Sequence, residues 1–394
     1  MSNRAFIQTA ILSGTTPVPV LAECCIDEGL PGFSILGIRR DHSDELAAVV
    51  RCAIRASGYE WPNRRVTVSL TPLDMSKRGS HLSLPIAVAI LAATGQVKLP
   101  DKALFVGELS LGGHLIYGTR GIVAYAKHAR ELARNLFCSH FDQMPDPYRE
   151  RVMSIGSLSD LRSRELYTPT QKLEPSYASD PEEPFGRAEE AIVAGKSVLV
   201  IGNEPFAMTT RICEILPLLK TDESLELAAI ASCADDALVP DLLGRQRPLR
   251  APDPSISLAG LLGGGMPVRP GEVTLAHKGV LFLGDMAEWK PGTLRQIDLA
   301  RREGHVRIVR QDGVVEMPSK FQLVAYAKPC PCGRFGDTER ECTCESQQVM
   351  RYRERIERLG RTMFDEMFEE PPRNSNPIID FDDIAEECRG ELLP

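Results

Sequence analysis

Apolar and polar residues along the first 140 positions form two kinds of pattern. Strand-like alternation covers residues 5–12, 18–26, 33–38 and 65–70, and residues 103–109 and 113–116 predict a further strand pair. Helical spacing of apolar residues covers residues 43–57, 84–94 and 119–135. Residues 41–43 offer an N-cap for the first of these helices. This mixture predicts an α+β domain.

The second half of the chain has short, predominantly apolar runs between helical segments. The runs 197–201, 280–283 and 321–327 are typical of strands buried on both faces, as in a parallel sheet. Helices are predicted over residues 187–194, 208–219, 224–234, 293–302 and 345–368, the last interrupted at Gly360. Residues 305–309 and 314–317 flank Asp312-Gly313, a strong hairpin signal. This half is predicted to be an α/β module.

A polar stretch with four prolines, residues 166–185, separates the two halves and is predicted to be an exposed linker. The predicted domains are residues 1–165 and residues 186–370. An acidic, proline-containing tail, residues 371–394, follows them.

Composition favours an ordinary globular protein, with 43% hydrophobic and 25% charged residues among 394. No apolar run approaches the ~20 residues of a membrane-spanning helix, and the N-terminus lacks the features of a signal peptide. We therefore expect a cytoplasmic protein without a membrane partner. The net charge of −8 excludes a uniformly basic nucleic-acid-binding surface but leaves room for a local basic patch.

Four of the eleven cysteines form a C-x-C-x₉-C-x-C pattern, made by Cys330, Cys332, Cys342 and Cys344. Two close thiolate pairs suit a tetrahedral Zn²⁺ when the polar segment between them folds back. Four unrelated buried thiols are the alternative, but residues 337–341 are too polar for a core. A redox pair is disfavoured because no helix N-terminus follows to activate a thiol. We predict a structural zinc site in residues 330–344.

Several motifs resemble the ComM/YifB family, the magnesium-chelatase-like proteins of bacteria. In the first half they are Gly29-Leu30-Pro31-Gly32-Phe33, Gly37, Arg65-Val66-Thr67-Val68, Leu84-Pro85-Ile86-Ala87 and Phe105-Val106-Gly107-Glu108-Leu109. In the second half they are LLGGGMPVRPGE, residues 261–272, and LAHKGVLFL, residues 275–283. The resemblance covers the chain to about residue 350. It implies an α+β Lon-protease-like (ribosomal protein S5 domain 2-like) N-terminal domain, followed by an α/β P-loop AAA+ module with a zinc loop.

Lon proteases work through a serine–lysine dyad, and the family's spacing places these two positions near His81 and Val123. Neither residue can perform that chemistry. Ser80 and Lys77 are neighbours in a loop, and we interpret them as solvated surface residues. The first domain is therefore expected to be non-catalytic, with a binding or assembly role.

The resemblance also implies a phosphate-binding loop at residues 202–209, GNEPFAMT. Only Gly202 and Thr209 match the family's loop, because its lysine is replaced by Met208 and its two later glycines by Pro205 and Ala207. Proline at 205 removes an amide donor, and Glu204 places a negative charge where phosphates would lie.

Two further nucleotide positions differ from those of the family. After residues 280–283 the magnesium-binding carboxylate is replaced by Gly284, and the next residue is Asp285. After residues 321–327 the asparagine that senses the γ-phosphate is replaced by Lys328. The predicted nucleotide site is a degenerate one in which Gly202, Thr209 and Asp285 remain, and binding of ATP and Mg²⁺ is doubtful.

The family's working members are hexameric, ATP-driven DNA motors implicated in branch migration during natural transformation. The resemblance implies that the predicted hairpin points into a central channel, where Arg301, Arg302, Arg307 and Arg310 are candidate DNA phosphate contacts. Arg307 and Arg310 are the DNA-binding residues we predict. The alternative is a solvated face balanced by Glu303, Asp312 and Glu316. The family's helical lid is expected to be absent, and Glu366 stands near the position of its arginine.

Two hypotheses follow for function. The first is a non-hydrolysing binding or regulatory member, a pseudo-ATPase without catalytic residues. It would form homo- or hetero-oligomers, join rings of an intact relative, or bind DNA alone. The alternative is an active ATP-dependent DNA motor, a helicase or branch-migration enzyme with an unconventional nucleotide site. A chelatase acting on a porphyrin would rest on analogy of fold alone.

Overall fold

The computed structural model describes residues 3–73, 75, 77–141, 144–162, 180–183, 186–202, 205–234, 242, 244–310, 313–337 and 340–369. Most of the predicted linker and the whole acidic tail lie outside the described residues. The same holds for Asn203 and Glu204 of the predicted phosphate loop and for Asp312 of the predicted hairpin.

A seven-stranded mixed sheet fills the first half of the chain. Its strands are β1 Asn3–Ser13, β2 Thr16–Asp27, β3 Gly32–Leu36, β4 Arg65–Thr71, β5 Ala103–Phe105, β6 Asn135–Cys138 and β7 Val152–Ser154. The order across the sheet is β3-β4-β2-β1-β5-β6-β7. Strands β1, β2 and β4 pair antiparallel, whereas β1, β5, β6 and β7 run parallel to one another.

Four helices accompany this sheet: α1 Arg40–Ala56, α2 Ser83–Ala93, α3 Ile122–Glu131 and α4 Asp146–Arg149. Helix α2 is almost wholly buried, because its sequence SLPIAVAILAA is apolar on every face. It packs on β1 and β2 and forms the centre of the main core cluster.

The structure corrects the predicted boundaries in this half. Helix α1 starts before the predicted cap, so residues 41–43 lie in its first turn, and the side chain of the N-cap residue Arg39 makes no capping hydrogen bond. The predicted strand pair consists of β5 and an isolated bridge between Leu109 and Leu115. Strands β6 and β7 were not predicted, because segments of three or four residues are too short for a clear pattern.

A five-stranded parallel sheet organises the second half. The elements between residues 187 and 275 are α5 Arg187–Val193, β8 Val198–Ile201, α6 Pro205–Ile215, α7 Thr221–Ser232, β9 Leu249–Arg250, α8 Leu258–Leu262, β10 Gly263–Gly264, β11 Arg269–Pro270 and α9 Glu272–Leu275. The remaining elements are β12 Val280–Leu283, α10 Pro291–Glu303, β13 His305–Arg310, β14 Gly313–Pro318, β15 Gln322–Ala327, α11 Ser346–Met363 and β16 Glu366–Glu369.

The order of the second sheet is β16-β8-β15-β12-β9, and every neighbouring pair is parallel. The three predominantly apolar runs of the sequence form β8, β12 and β15, the central strands of this sheet. Burial on both faces explains why they lack alternation. This mixed α/β architecture with parallel strands is consistent with an AAA+-like module.

The segment predicted as one helix over residues 345–368 is a helix followed by a strand. Helix α11 continues through Gly360 instead of breaking there. A β-carbon at Gly360 would collide with the sulfur of Met367, so the glycine allows β16 to pack closely against the helix. Strand β16 then pairs with β8, and the interpretation of these last residues as helical is wrong.

The two halves pack directly on one another. Helix α7 of the second half contacts α3 of the first, and their apolar residues share one buried cluster. The amide of Gly121 donates to the carbonyl of Ser232 at 2.8 Å. None of the described helices has the length and apolar character needed to cross a membrane.

Candidate functional site

Three of the predicted nucleotide positions meet at one edge of the parallel sheet. Strands β8, β12 and β15 are followed directly by Gly202, by Gly284-Asp285 and by Lys328. The carboxyl ends of parallel strands share an edge of the sheet. The Gly202 amide donates to the Ala327 carbonyl at 3.1 Å, and the Tyr326 hydroxyl donates to the Gly202 carbonyl. The sheet thus places the ends of β8 and β15 side by side.

Asp285 and Lys328 form an ion pair at this edge. The Lys328 Nζ lies 3.0 Å from Asp285 Oδ1, and the two side chains are 42% and 40% exposed. Asp285 has φ 42°, a left-handed conformation that turns the chain sharply after β12. Asp285 and Lys328, two residues of the predicted nucleotide site, therefore bind each other.

Trp289 fixes the turn that carries Asp285. Its side chain is completely buried, and its indole N–H donates to the Gly284 carbonyl at 3.0 Å. Met286, also buried, packs in the same apolar cluster. This packing holds the turn even though Gly284 contributes no side chain.

The residue at the lysine position of the predicted phosphate loop is partly buried against the core. Met208 lies in the first turns of α6 and packs against the apolar cluster that contains Ile192, Val200 and Ile212. An apolar side chain supplies no charge to a phosphate group. Thr209, the next residue, is partly buried.

A cavity of about 180 Å³ lies next to this edge, between the ends of β8, β15 and β16 and helix α11. It is lined by Ile201, Lys328, Tyr352 and the ion pair of Arg353 with Glu369, whose atoms lie 2.6 and 2.8 Å apart. Burial, together with the negative charges of Asp285 and Cys330, raises the pKa of Tyr352 to about 12. The Tyr352 hydroxyl therefore stays neutral at physiological pH.

The four cysteines predicted to bind a metal come together in space. Their Sγ atoms all lie within 4.8 Å of one another, and those of Cys330, Cys332 and Cys342 are separated by 3.4 to 3.7 Å. Four sulfurs around a tetrahedral zinc at ~2.3 Å would be separated by about 3.8 Å. Gly333 and Gly336, with φ of 76° and 79°, provide the tight turns of this loop. The cluster therefore has a geometry that suits a metal ion.

One thiol of the cluster has a lowered pKa. Burial alone would raise the pKa of Cys332, but hydrogen bonds from the Thr343 and Arg334 amides and from neighbouring cysteines lower it to about 5. A thiolate is the form that ligates a metal. Cys330 is fully buried and follows β15 by three residues, which attaches the cluster directly to a central strand of the sheet.

The predicted hairpin forms as β13 and β14, paired antiparallel from His305 with Pro318 to Arg310 with Gly313. Arg307 faces Glu316 across the strands, with Nε 3.7 Å from the carboxylate, and both side chains are more than half exposed. Arg310 is exposed beside the tip. Both predicted DNA-binding arginines thus lie on the exposed part of the hairpin.

The other two arginines considered for DNA contact are engaged within the protein. Arg301 donates to the Ser197 hydroxyl at 2.8 Å and to Asp298 at 3.2 Å. Arg302 pairs with Asp298 at 2.9 Å and donates to the Thr362 carbonyl at 3.2 Å. These contacts connect α10 to Ser197, just before β8, and to α11. Arg301 and Arg302 therefore stabilise the packing of these elements.

Strand β14 of the hairpin rests on the first half of the chain. Gly14, in the turn between β1 and β2, has φ 62°, and a β-carbon there would lie 2.7 Å from Val315. Near the tip, Arg310, Gly313 and Val314 line a cavity together with Gly14 and its neighbours in the first half. The paired residues Val309 and Val314 are 67% and 46% exposed, so the hairpin packs on the first half along β14 and still presents apolar side chains to solvent.

Of the two positions assigned by resemblance to a protease dyad, Val123 is buried and His81 is partly buried. Val123 is completely buried, and His81 Nε2 lies 3.4 Å from the Tyr125 hydroxyl. Burial, and to a smaller extent the positive charge of Arg120, lowers the pKa of His81 to about 4. His81 is therefore neutral at physiological pH.

The interpretation of Lys77 as a solvated residue is wrong. Its side chain is completely buried, and its ammonium donates to the carbonyls of Pro72 and Met75. These carbonyls satisfy the buried charge, which explains why a lysine is tolerated there. Ser80 donates to the Glu108 carboxylate.

Comparisons with known proteins identify the relatives of this chain. Residues 187–367 match the family described as magnesium chelatase, subunit ChlI, and residues 22–140 match the family described as subunit ChlI of Mg-chelatase. The chain is 32% identical over 394 residues to "Uncharacterized protein YifB" of Escherichia coli. That alignment covers 93% of this chain and 76% of the YifB protein. It is 28% identical over 393 residues to "Competence protein ComM" of Haemophilus influenzae, with the same coverage.

The parallel sheet and the matches to the two chelatase models define a magnesium-chelatase-like protein with an AAA+-like module. The similarity to YifB and ComM extends through nearly the whole chain. The chain belongs to the ComM/YifB family, as the sequence motifs predicted.

Proposed function

We propose that this chain is a non-hydrolysing member of its family that binds DNA or assembles with other subunits. The ion pair between Asp285 and Lys328 is the observation that carries this proposal. It occupies the edge of the sheet where a nucleotide hydrolase needs a metal ion, a γ-phosphate and a free carboxylate.

Three features of this edge oppose binding of ATP with Mg²⁺. Met208 packs against the apolar cluster beside β8 and leaves the phosphates without the loop lysine. Gly284 offers no carboxylate to the metal, and Asp285 is neutralised by Lys328. Each missing charged contact costs about 1.5–3 kcal/mol, so two or three together reduce affinity by several orders of magnitude.

An active motor is the second candidate, and Lys328 is the observation that favours it. Its ammonium is partly exposed at the sheet edge and would supply a positive charge near the phosphates in place of the loop lysine. In that case Lys328 would leave Asp285 and contact the nucleotide. The two candidates make opposite predictions for the removal of Lys328.

We expect calorimetry of the wild-type protein with ATP and Mg²⁺ to detect no binding with a Kd below about 1 mM. The triple variant Met208→Lys, Gly284→Asp, Lys328→Asn restores three contacts and should bind more tightly than the wild type. Lys290→Asn is the matched control for loss of one lysine. Micromolar binding by the wild type that disappears in Lys328→Ala would overturn the proposal in favour of the motor.

We propose that the hairpin is the part of the protein that binds DNA. Binding would not depend on the DNA sequence, because Arg307 and Arg310 would contact phosphates. The double variant Arg307→Ala, Arg310→Ala should bind DNA more weakly, and the slope of log K against log salt should fall by roughly 2. Fluorescence anisotropy at several salt concentrations measures both. The double variant Arg358→Ala, Arg361→Ala on α11 is the control. An unchanged slope in the hairpin variant would remove the hairpin from the proposed interface.

The remaining parts of the proposal concern structure and assembly. The four-cysteine cluster is proposed to hold one structural Zn²⁺, and the first half to be a non-catalytic, Lon-protease-like domain. The protein is proposed to form homo-oligomers or mixed rings with an intact relative. Support for assembly comes from the relation to AAA+-like proteins and from the exposed valines of the hairpin tip.

A further inference from the structure

The cavity between the hairpin and the first half of the chain is a crevice of about 250 Å³. The hairpin contributes the end of β13 and the start of β14, and the first half contributes the turn between β1 and β2. Apolar side chains dominate its lining: Ile11, Leu12, Met75, Met266, Pro267, Val268, Val314 and Val315. We call this cavity the hairpin crevice.

Part of the apolar lining is open to solvent. Met266 is 62% exposed and Val314 is 46% exposed, although covering large apolar side chains is favourable. A contiguous apolar patch with a polar rim is typical of a surface that binds a protein segment. The crevice is smaller than sites for drug-sized molecules, which have volumes of roughly 300–1,000 Å³, so it accommodates one or two side chains of a peptide.

The crevice is also positively charged. Arg78 and Arg310 line it, and no carboxylate of the described part of the chain does so. Arg78 Nε is shielded from solvent and has no hydrogen-bond partner among the described residues. A carboxylate would satisfy such a donor, because it accepts two parallel hydrogen bonds from a guanidinium. The complementary ligand is therefore a peptide that carries both apolar side chains and carboxylates.

The acidic tail contains a segment of this composition. Residues 378–384, IIDFDDI, consist of four apolar residues and three aspartates. Eight residues separate this segment from Glu369, the last residue of β16, so it can reach about 30 Å from the end of that strand. We propose that residues 378–384 dock into the hairpin crevice, with Phe381 as the apolar anchor and the aspartates beside Arg78 and Arg310. An aromatic ring suits the anchor position because it covers a large apolar area with few rotatable bonds.

Docking of the tail would affect the binding of DNA. Arg310 is one of the two arginines proposed above to contact DNA phosphates, so the docked aspartates would compete with DNA for it. Duplex DNA carries a much denser row of negative charges and would displace the tail. This consequence rests on the proposed function, whereas the docking itself does not.

The test is photo-crosslinking of the full-length protein with benzoylphenylalanine in place of Phe381. Without DNA, mass spectrometry should map the crosslinks to Met75, Met266 or Val268 in the crevice. The same group in place of Leu392, nearer the C-terminus, is the control and should show no preference for the crevice. The mass of the product on a denaturing gel tells whether the tail belongs to the same chain or to a second copy, and either product supports docking.

Two changes in the crevice should lower the crosslink yield several-fold. Met266→Asp places a carboxylate in the apolar lining, and Arg310→Glu reverses one of the two charges. Both residues are exposed, so the variants are expected to fold. Met350→Asp and Arg351→Glu are the matched controls, because both residues are exposed on α11 and lie outside the crevice. They should keep the wild-type yield.

Three outcomes would overturn the docking proposal. These are crosslinks that avoid the crevice, a wild-type yield in both crevice variants, and an equal loss of yield in the α11 variants. Added duplex DNA should lower the yield, and an unchanged yield in a protein that binds DNA would refute the competition. The mapping without DNA depends neither on DNA binding nor on Asp285 and Lys328, so its failure is distinguishable from failure of the proposed function.

Discussion

Protein purified under reducing conditions without chelator is expected to contain one Zn²⁺ per chain, and Cys342→Ser should lose it. The expected effect is large, because a structural zinc contributes about 10–16 kcal/mol of binding free energy in small zinc domains. The four sulfurs already lie within 4.8 Å of one another, and without the metal their thiolates would repel. Loss of zinc should therefore unfold the loop and lower the melting temperature. Native mass spectrometry and thermal denaturation measure the two effects.

Cys52→Ser is the matched control, because Cys52 is exposed on α1 and lies outside the cluster. It should keep full zinc content and the wild-type melting temperature. Wild-type protein without metal would contradict the prediction. Full occupancy in the double variant Cys330→Ser, Cys332→Ser would contradict it as well, since half of the ligands would be gone.

The architecture of the second half could be predicted largely from sequence because its strands are buried on both faces. A continuous apolar run such as Val280–Leu283 predicts a strand buried on both faces, whatever its neighbours in the parallel sheet. The final strand was missed for the opposite reason. Glu366–Glu369 is an edge strand with two charged residues, and its parallel partner β8 lies more than 160 residues earlier in the chain.

The candidate site could be predicted only position by position. Sequence motifs identified Asp285 and Lys328 as departures from the family, but their ion pair depends on the relative placement of β12 and β15. Local sequence likewise gave no sign that Lys77 is buried, because two backbone carbonyls satisfy its charge.

Trp289→Ala is expected to destabilise the second half by about 3–5 kcal/mol, the usual cost of removing a fully buried large aromatic side chain. The variant leaves a cavity in the cluster beneath β12, and it also deprives the Gly284 carbonyl of its 3.0 Å hydrogen bond. Both effects act on the turn that presents Asp285 to Lys328. Urea denaturation followed by circular dichroism should therefore give a clearly lower midpoint for the variant.

The chain's other tryptophan provides the control for this prediction. Trp61 is only partly buried and packs edge-on against Phe33 and beneath Arg51. Trp61→Ala removes the same atoms from a site that is already partly hydrated, so its unfolding midpoint should shift less than that of Trp289→Ala. If the two variants lower the unfolding midpoint equally, the indole of Trp289 contributes only general apolar contact. The turn that carries Asp285 would then be held by the backbone alone.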